Sequence, residues 1–220
     1  LSVMSMDLLF ELLTSTWETL YMVFVSGVLA LLIGLPLGVI LFSTRQPNLF
    51  AKPLLNKSLA MIINMLRSIP FIILMLAIIP LTRLLVGTSI GTTAAIVPLS
   101  LATIPFFARM VENNLDQLPP GLIETGQAMG ASTLQLISAV LLSEAMPGIV
   151  SSLTTTLITL TAYSAMAGAV GGGGLGDLAI RYGYQRFDAR VMLMTIVILI
   201  ALVQMIQYIG DYWVKRLTHQ

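Results

Sequence analysis

Charged residues are so sparse along this chain that they divide it into uncharged stretches long enough to cross a bilayer. Between Glu18 and Arg45 lie 26 uncharged residues, between Arg83 and Arg109 25, between Glu144 and Asp177 32, and between Arg190 and Asp211 20. About 20 apolar residues in a helix cross a hydrocarbon core ~30 Å thick. In lipid the backbone N–H and C=O groups must be satisfied within the segment, so such stretches fold as helices. Of the 220 residues 57% are hydrophobic and 10% charged, against roughly 25% charged in soluble domains. So few charges cannot cover a water-facing shell, and most of the outer surface must face hydrocarbon. The expected fold class is an all-α membrane protein, a single transmembrane domain over residues 1–220.

A fifth span is harder to delimit. Ser68 to Thr82 gives only 15 residues, so that span takes in Arg67 and begins near Ser58. The five expected helices are about 19–42, 58–81, 88–108, 147–169 and 190–210, with Pro36, Pro70, Pro98 and Pro105 inside them. A membrane bundle tolerates these prolines because neighbouring groups satisfy the freed carbonyls. Five spans put the termini on opposite sides. One assignment of sides gives seven cytoplasmic Lys and Arg residues (Arg45, Lys52, Lys57, Arg67, Arg109, Lys215, Arg216) against four external ones (Arg83, Arg181, Arg186, Arg190). The excess of inside cations predicts an external N-terminus and a cytoplasmic C-terminus. Segment 109–146 is then cytoplasmic and segment 171–189 external. No Lys or Arg precedes the first apolar run, only Asp7, Glu11 and Glu18, unlike a secretory signal.

Several activities are excluded at this level. There is no cysteine and one histidine, His219, which leaves no disulfide or His/Cys metal site. A net charge of +1 gives no nucleic-acid footprint. Arg67 is the one charged residue inside the spans, too little for convergent catalytic groups, so the chain is not expected to be an enzyme. No Gly-Lys pair occurs, hence no phosphate-binding loop for ATP. Gly171-x-Gly173-x-x-Gly176 matches a dinucleotide fingerprint nominally, but no strand precedes it. Its four consecutive glycines read as a pliable turn.

Polar features remain to be placed. In segment 109–146, Pro119-Pro120 can open a short helix that Gly130 ends, and Ser132 with Gln135 reads as a capping box. Leu134, Ile137 and Leu141 then form an apolar face. This pair of helices either lies on the membrane surface or docks a partner. In the fourth span Ser152, Thr156, Thr159 and Tyr163 share one face, which either lines a translocation path or packs helices. Met166 continues that row among Ser164, Ala165, Ala167, Gly168 and Ala169. A flexible thioether can close a narrow opening between two subunits, or fill an ordinary core. Asp177, Arg181, Arg186 and Asp188 form an external rim suited to docking a soluble partner, or a solvated loop. Arg67, inside its span, either faces an interior cavity or snorkels to headgroups.

Glu124-Thr125-Gly126-x3-Gly130, followed by Val140-x-Leu142, resembles the EAA loop of bacterial ABC import permeases. The family pattern is Glu-Ala-Ala-x3-Gly-x9-Ile-x-Leu-Pro; this chain keeps Glu124, Gly130 and Leu142 and departs at Thr125, Gly126, Val140 and Ser143. Trp17-Glu18-Thr19-Leu20, Arg67-Ser68-Ile69-Pro70-Phe71, Gly87-Thr88-Ser89-Ile90-Gly91, Pro105-Phe106-x-Ala108-Arg109 and Tyr163-Ser164-Ala165-Met166 are similar to the methionine ABC importer permeases. The resemblance runs from about Trp17 to Asp211. It implies the type I importer fold in the bacterial inner membrane, and a coupling role for Glu124, Gly126, Gly130 and Leu142. It further implies a homodimer, two ATPase subunits carrying ATP and Mg, and a periplasmic substrate-binding lipoprotein. No cofactor is expected in this chain. The implied function is import of methionine, both enantiomers and close derivatives, by alternating access. An importer of another amino acid, or a passive channel, is the alternative.

Overall fold

The computed structural model describes residues 6–45 and 49–218, and among them every regular element is helical. His219 and residues 46–48 of the first loop lie outside the described residues. The helices are α1 (Met6–Thr44), α2 (Pro53–Ser68), α3 (Phe71–Ala77), α4 (Ile79–Val86), α5 (Thr92–Asp116), α6 (Gly121–Ala128), α7 (Thr133–Gly168), α8 (Gly174–Leu178) and α9 (Ala189–Thr218). Four of them, α1, α5, α7 and α9, are long and apolar enough to cross a membrane. The pair α2 and α3 supplies a fifth candidate, bent by 101° between its halves.

That bend replaces the straight helix expected over 58–81. Its cause is Pro70, whose ring disfavours the helical conformation at the residue before it. Ile69 is accordingly extended, at φ −83° and ψ 123°, and the helix restarts with Ile73 and Leu74 N–H donating to the Pro70 carbonyl. Arg67 therefore sits in the last turn of α2 and not part-way along a continuous span. The buried Pro98 and Pro105, by contrast, are carried inside α5 without a break.

Helix ends differ from the hydropathy boundaries. Helix α1 begins at Met6, so the expected N-terminal tail continues the first span, and its 39 residues reach about 58 Å at 1.5 Å per residue. Helix α5 runs on to Asp116 and α7 starts at Thr133, so both flanks of segment 109–146 belong to long helices. Amphipathic continuity outweighs the loss of hydropathy there.

Helices α1 and α5 form the central pair. Ser26, Ala30, Gly34 and Gly38 recur every fourth residue on α1, all buried. A Cβ at Gly34 would stand 3.0 Å from the Ile104 carbonyl oxygen, and one at Gly38 2.5 Å from that of Ala108. The backbones approach because the stripe carries only small residues, two of them without a side chain, the usual basis of helix association in lipid. Phe107, Val111, Leu115 and Ile149 close one end of the core, and Met22, Phe71, Leu99 and Leu160 the other. Helix α9 packs outside α7, where Gly210 lies against Thr154.

Candidate functional site

At one end of the bundle the chain forms the hairpin suggested by its prolines and glycine. Gly130 adopts φ 78° and closes α6 with paired bonds, Ala131 N–H to the Gly126 carbonyl and Gly130 N–H to that of Gln127. This is the left-handed helix terminus that glycine allows without steric cost. Ser132 then opens α7 with a complete capping box: Gln135 N–H donates to its hydroxyl, and its own N–H donates to the Gln135 side chain at 2.9 Å. Of the expected apolar face, Leu141 is buried and Ile137 packs half-buried on the core, while Leu134 is not buried. A π turn over Leu136–Leu141 adds a residue to the turn, so Leu136 and Leu141 face inward and Leu134 is 75% exposed. Gly126 is buried against Leu136, Leu142 packs on the core, and Glu124 is exposed with Met129, itself 82% exposed. Of the four expected coupling residues, Gly126, Gly130 and Leu142 shape the hairpin and Glu124 is on its surface.

Beneath the hairpin lies an ionic cluster that the sequence reading missed. Arg45, just past α1, donates to both carboxylate oxygens of Asp116 at 2.7 and 2.5 Å. Arg109 pairs with Glu112 at 2.5 Å, and Arg45 is 3.8 Å from the same carboxylate. Glu112 is only 3% exposed. The Arg109-x-x-Glu112 spacing was readable as a helical pair, but Arg45 joins it only through the packing of α1 on α5.

In α7 the polar row divides. Ser152 and Thr156, expected on a path, are buried within the protomer: Ser152 accepts from the Asn114 amide at 2.8 Å and Thr156 donates to the Ser152 carbonyl at 2.8 Å. They are helix-packing groups. The accessible stripe is shifted by one residue, through Ser151, Thr155, Thr159, Ala162 and Met166. Met166 is 49% exposed near its end. Tyr163 lies beside the stripe and stacks on Phe71, with ring centroids 4.5 Å apart and planes at 3°.

At the opposite end from the hairpin, the glycine-rich segment folds back on α1. Gly171, Gly173 and Gly174 all have positive φ, and this turn lets Gly174 N–H reach the Glu18 carboxylate at 2.7 Å and Leu175 N–H the Thr19 hydroxyl at 2.9 Å. The glycines thus bind the chain's own α1. Of the expected rim residues, Asp177 and Arg181 pair at 2.7 Å, and Asp188 caps α9 by accepting from Arg190 N–H at 3.0 Å. Arg186 lies 4.3 Å over the Tyr182 ring. Arg186 and Asp188 share a cavity of about 350 Å³ with Asp7, Glu11 and Tyr182. Tyr182 donates to Glu11 at 2.7 Å, and this hydrogen bond, with desolvation and the carboxylate charge, holds the phenol above its usual range. Among the described residues no His, Asp or Glu group could hold a metal ion.

Residues 30–219 match the family described as the binding-protein-dependent transport system inner membrane component. The chain is 56% identical over 209 residues to the "Probable D-methionine transport system permease protein MetI" of Vibrio cholerae, covering 95% of this chain and 93% of that one. It is 53% identical over 165 residues to the D-methionine transport system permease protein MetI of Escherichia coli K12, covering 75% and 76%. Among solved structures it is similar to a chain of the MetNI methionine ABC transporter in an inward-facing conformation, with a TM-score of 0.96 and 51% identity over 97% of this chain and 99% of that one.

Proposed function

The chain belongs to the family of binding-protein-dependent transport system inner membrane components, and we propose that it is the permease subunit of an ATP-driven importer of methionine. One observation carries this reading: the likeness to methionine permeases extends over nearly the whole chain, hairpin and glycine-rich turn included. The subunit is not itself an enzyme. It works as a homodimer with two ATPase subunits, which hold ATP and Mg, and a binding lipoprotein delivers substrate from outside. The N-terminus is external and the C-terminus cytoplasmic, in keeping with the distribution of Lys and Arg.

In this reading the hairpin docks on the ATPase through exposed Glu124, with Met129 and Leu134 as apolar contacts and Gly126, Gly130 and Leu142 fixing its shape. The Arg45–Asp116 bridge ties the end of α1 to the end of α5, so movement of the hairpin is passed to both helices. Thr159, Tyr163 and Arg67 border the path, and Met166 is the gate where two copies of α7 meet. The rim of Asp177, Arg181, Arg186 and Asp188 receives the binding protein. Alternating access follows when ATP draws the ATPases together and the hairpins rotate the two bundles.

Proteoliposomes holding the permease with its ATPase and binding protein should accumulate radiolabelled methionine only with ATP. Glu124→Lys should reduce accumulation at least tenfold while the permease stays folded, because the side chain is exposed. Failure of the unaltered complex to accumulate methionine would refute the substrate, and full activity of Glu124→Lys would refute the docking surface.

Met166→Ala is expected to uncouple the transporter. Hydrolysis should depend less on the binding protein, or small solutes should leak, with stability changed by less than about 1 kcal/mol. A stability loss of about 2–5 kcal/mol with unchanged coupling would instead assign Met166 to packing.

A further inference from the structure

Helix α9 carries a polar group that packing within the protomer leaves unused. Gln204 lies among the 20 uncharged residues between Arg190 and Asp211, ~10 Å along the helix axis from Asp211. Its side chain is exposed and makes no hydrogen bond among the described residues, whereas Gln207 donates to Asp211 at 2.7 Å. An amide turned to acyl chains would leave its donors and its acceptor unsatisfied. Such a residue inside a span therefore faces water, a ligand or another polypeptide.

Its neighbours on α7 show which space it borders. A groove of about 290 Å³ between α7 and α9 is lined by Gln204 together with Ala162, Ala165, Ile200 and Val203. Ala162 also belongs to the accessible stripe of Ser151, Thr155, Thr159, Ala162 and Met166, so Gln204 stands beside that stripe, within about a turn of Thr159. The stripe's threonine hydroxyls are already committed as donors. Thr155 donates to the Ser151 carbonyl at 3.1 Å and Thr159 to the Thr155 carbonyl at 2.9 Å. A hydroxyl has one hydrogen, so Thr155 and Thr159 offer the open face acceptors alone. The Gln204 amide supplies the N–H donors they lack. Acceptors and donors side by side, next to an apolar groove, complement the three parts of a free amino acid: its ammonium, its carboxylate and an apolar side chain.

We infer that Gln204 is a substrate contact of the permease. Its amide donates to the α-carboxylate of the amino acid in transit, Thr155 and Thr159 accept from the ammonium, and the side chain rests on Ala162, Ile200 and Val203. The inference rests on the transport reading above. Neutral partners suit a site of passage: they orient a zwitterion without ion pairs, so release separates no opposite charges in a low-dielectric span.

Photo-methionine, which carries a diazirine in its side chain, tests this in the complex reconstituted with ATPase and binding protein. Irradiation during turnover should label the α9 peptide spanning residues 199–207, and excess methionine should suppress the label. Gln204→Leu should lower both label and import about tenfold, the expected effect of losing one hydrogen bond to a charged group. Its melting temperature should not change, because the side chain is exposed. Gln204→Asn, which keeps the amide, should regain part of both. The chain has no cysteine, so Gln204→Cys adds the permease's one thiol, and a charged thiosulfonate should modify it. If the unaltered complex does not import photo-methionine, the transport reading fails and the contact falls with it. Import without label on 199–207, or label and import unchanged in Gln204→Leu, overturns the contact alone. A thiol at 204 that reacts only with lipid-soluble maleimides faces acyl chains, and one that resists the thiosulfonate and forms a disulfide with its copy lies between subunits; either overturns the contact as well.

Discussion

Gly38→Val should abolish recovery of folded permease, because the position has no room for a side chain. A Cβ there would stand 2.5 Å from the Ala108 carbonyl oxygen and 2.6 Å from Val111 Cβ. The first contact is with backbone, which cannot rotate away, so α1 and α5 would have to separate. Separation would forfeit packing along the whole Ser26–Ala30–Gly34–Gly38 stripe. Overpacking typically costs about 1–3 kcal/mol, and forcing apart the central helix pair should reach at least the upper end of that range. That is a large fraction of the ~5–15 kcal/mol that holds a typical domain. Gly38→Ala should be destabilised but recoverable, and Val111→Ala should restore a small part of the loss by removing the Val111 Cγ1 contact at 2.8 Å while its Cβ stays. Detergent-extracted yield and thermal unfolding would read both effects. Wild-type yield and melting for Gly38→Val would show that α1 and α5 are not held by backbone contact.

Removing Glu112 should have the second-largest effect. Its carboxylate is almost fully buried and faces Arg109 at 2.5 Å and Arg45 at 3.8 Å. Glu112→Leu leaves two guanidinium groups around an apolar side chain. Breaking a fully buried pair from one side costs about 3–5 kcal/mol. Arg109 and Arg45 are partly open to solvent, which screens them and lowers the expected loss to about 2–3 kcal/mol. A second change, Arg109→Met, should recover stability in the Glu112→Leu background, because it removes the orphaned cation. Transport should not recover with it. Arg45 would still bridge to Asp116 at the end of α5, but its second contact with that helix would be gone. Full recovery of transport with stability would show that the cluster only holds the fold. An additive loss from the second change would show that Glu112 and Arg109 are not coupled.

The π turn near the hairpin and the kink at Pro70 have a shared consequence. Each changes which side chains face the core without changing composition. The extra residue in the turn at Leu136–Leu141 turns Leu134 outward, to the surface where a partner would dock. The extended Ile69 turns the following helix by 101° and leaves Arg67 at a helix end. Both irregularities stand where the proposed transport cycle needs motion or recognition, the places where local rules are most often broken.

The sequence by itself determined the solvent in which this chain folds, because the transfer of side chains into hydrocarbon is a nearly additive property that needs no knowledge of neighbours. The helical class, the four clean spans, the glycine stop at Gly130 and the capping box at Ser132 follow from such local terms, and so does the absence of an ATP-binding loop. The EAA-like spacing around Glu124 identified the family because the residues that form that hairpin are contiguous. What only the tertiary structure decided depends on contacts between distant parts of the chain. Ser152 and Thr156 became packing groups because Asn114 and the body of the protomer lie on their side of α7, leaving Ser151, Thr155 and Thr159 on the open face. A hydroxyl looks the same in either role until its neighbours are known. Arg45 meets Asp116 across 71 positions of sequence, and Glu18 meets Gly174 across 156. Such pairs form where helix packing brings the groups together, and no local pattern records the approach.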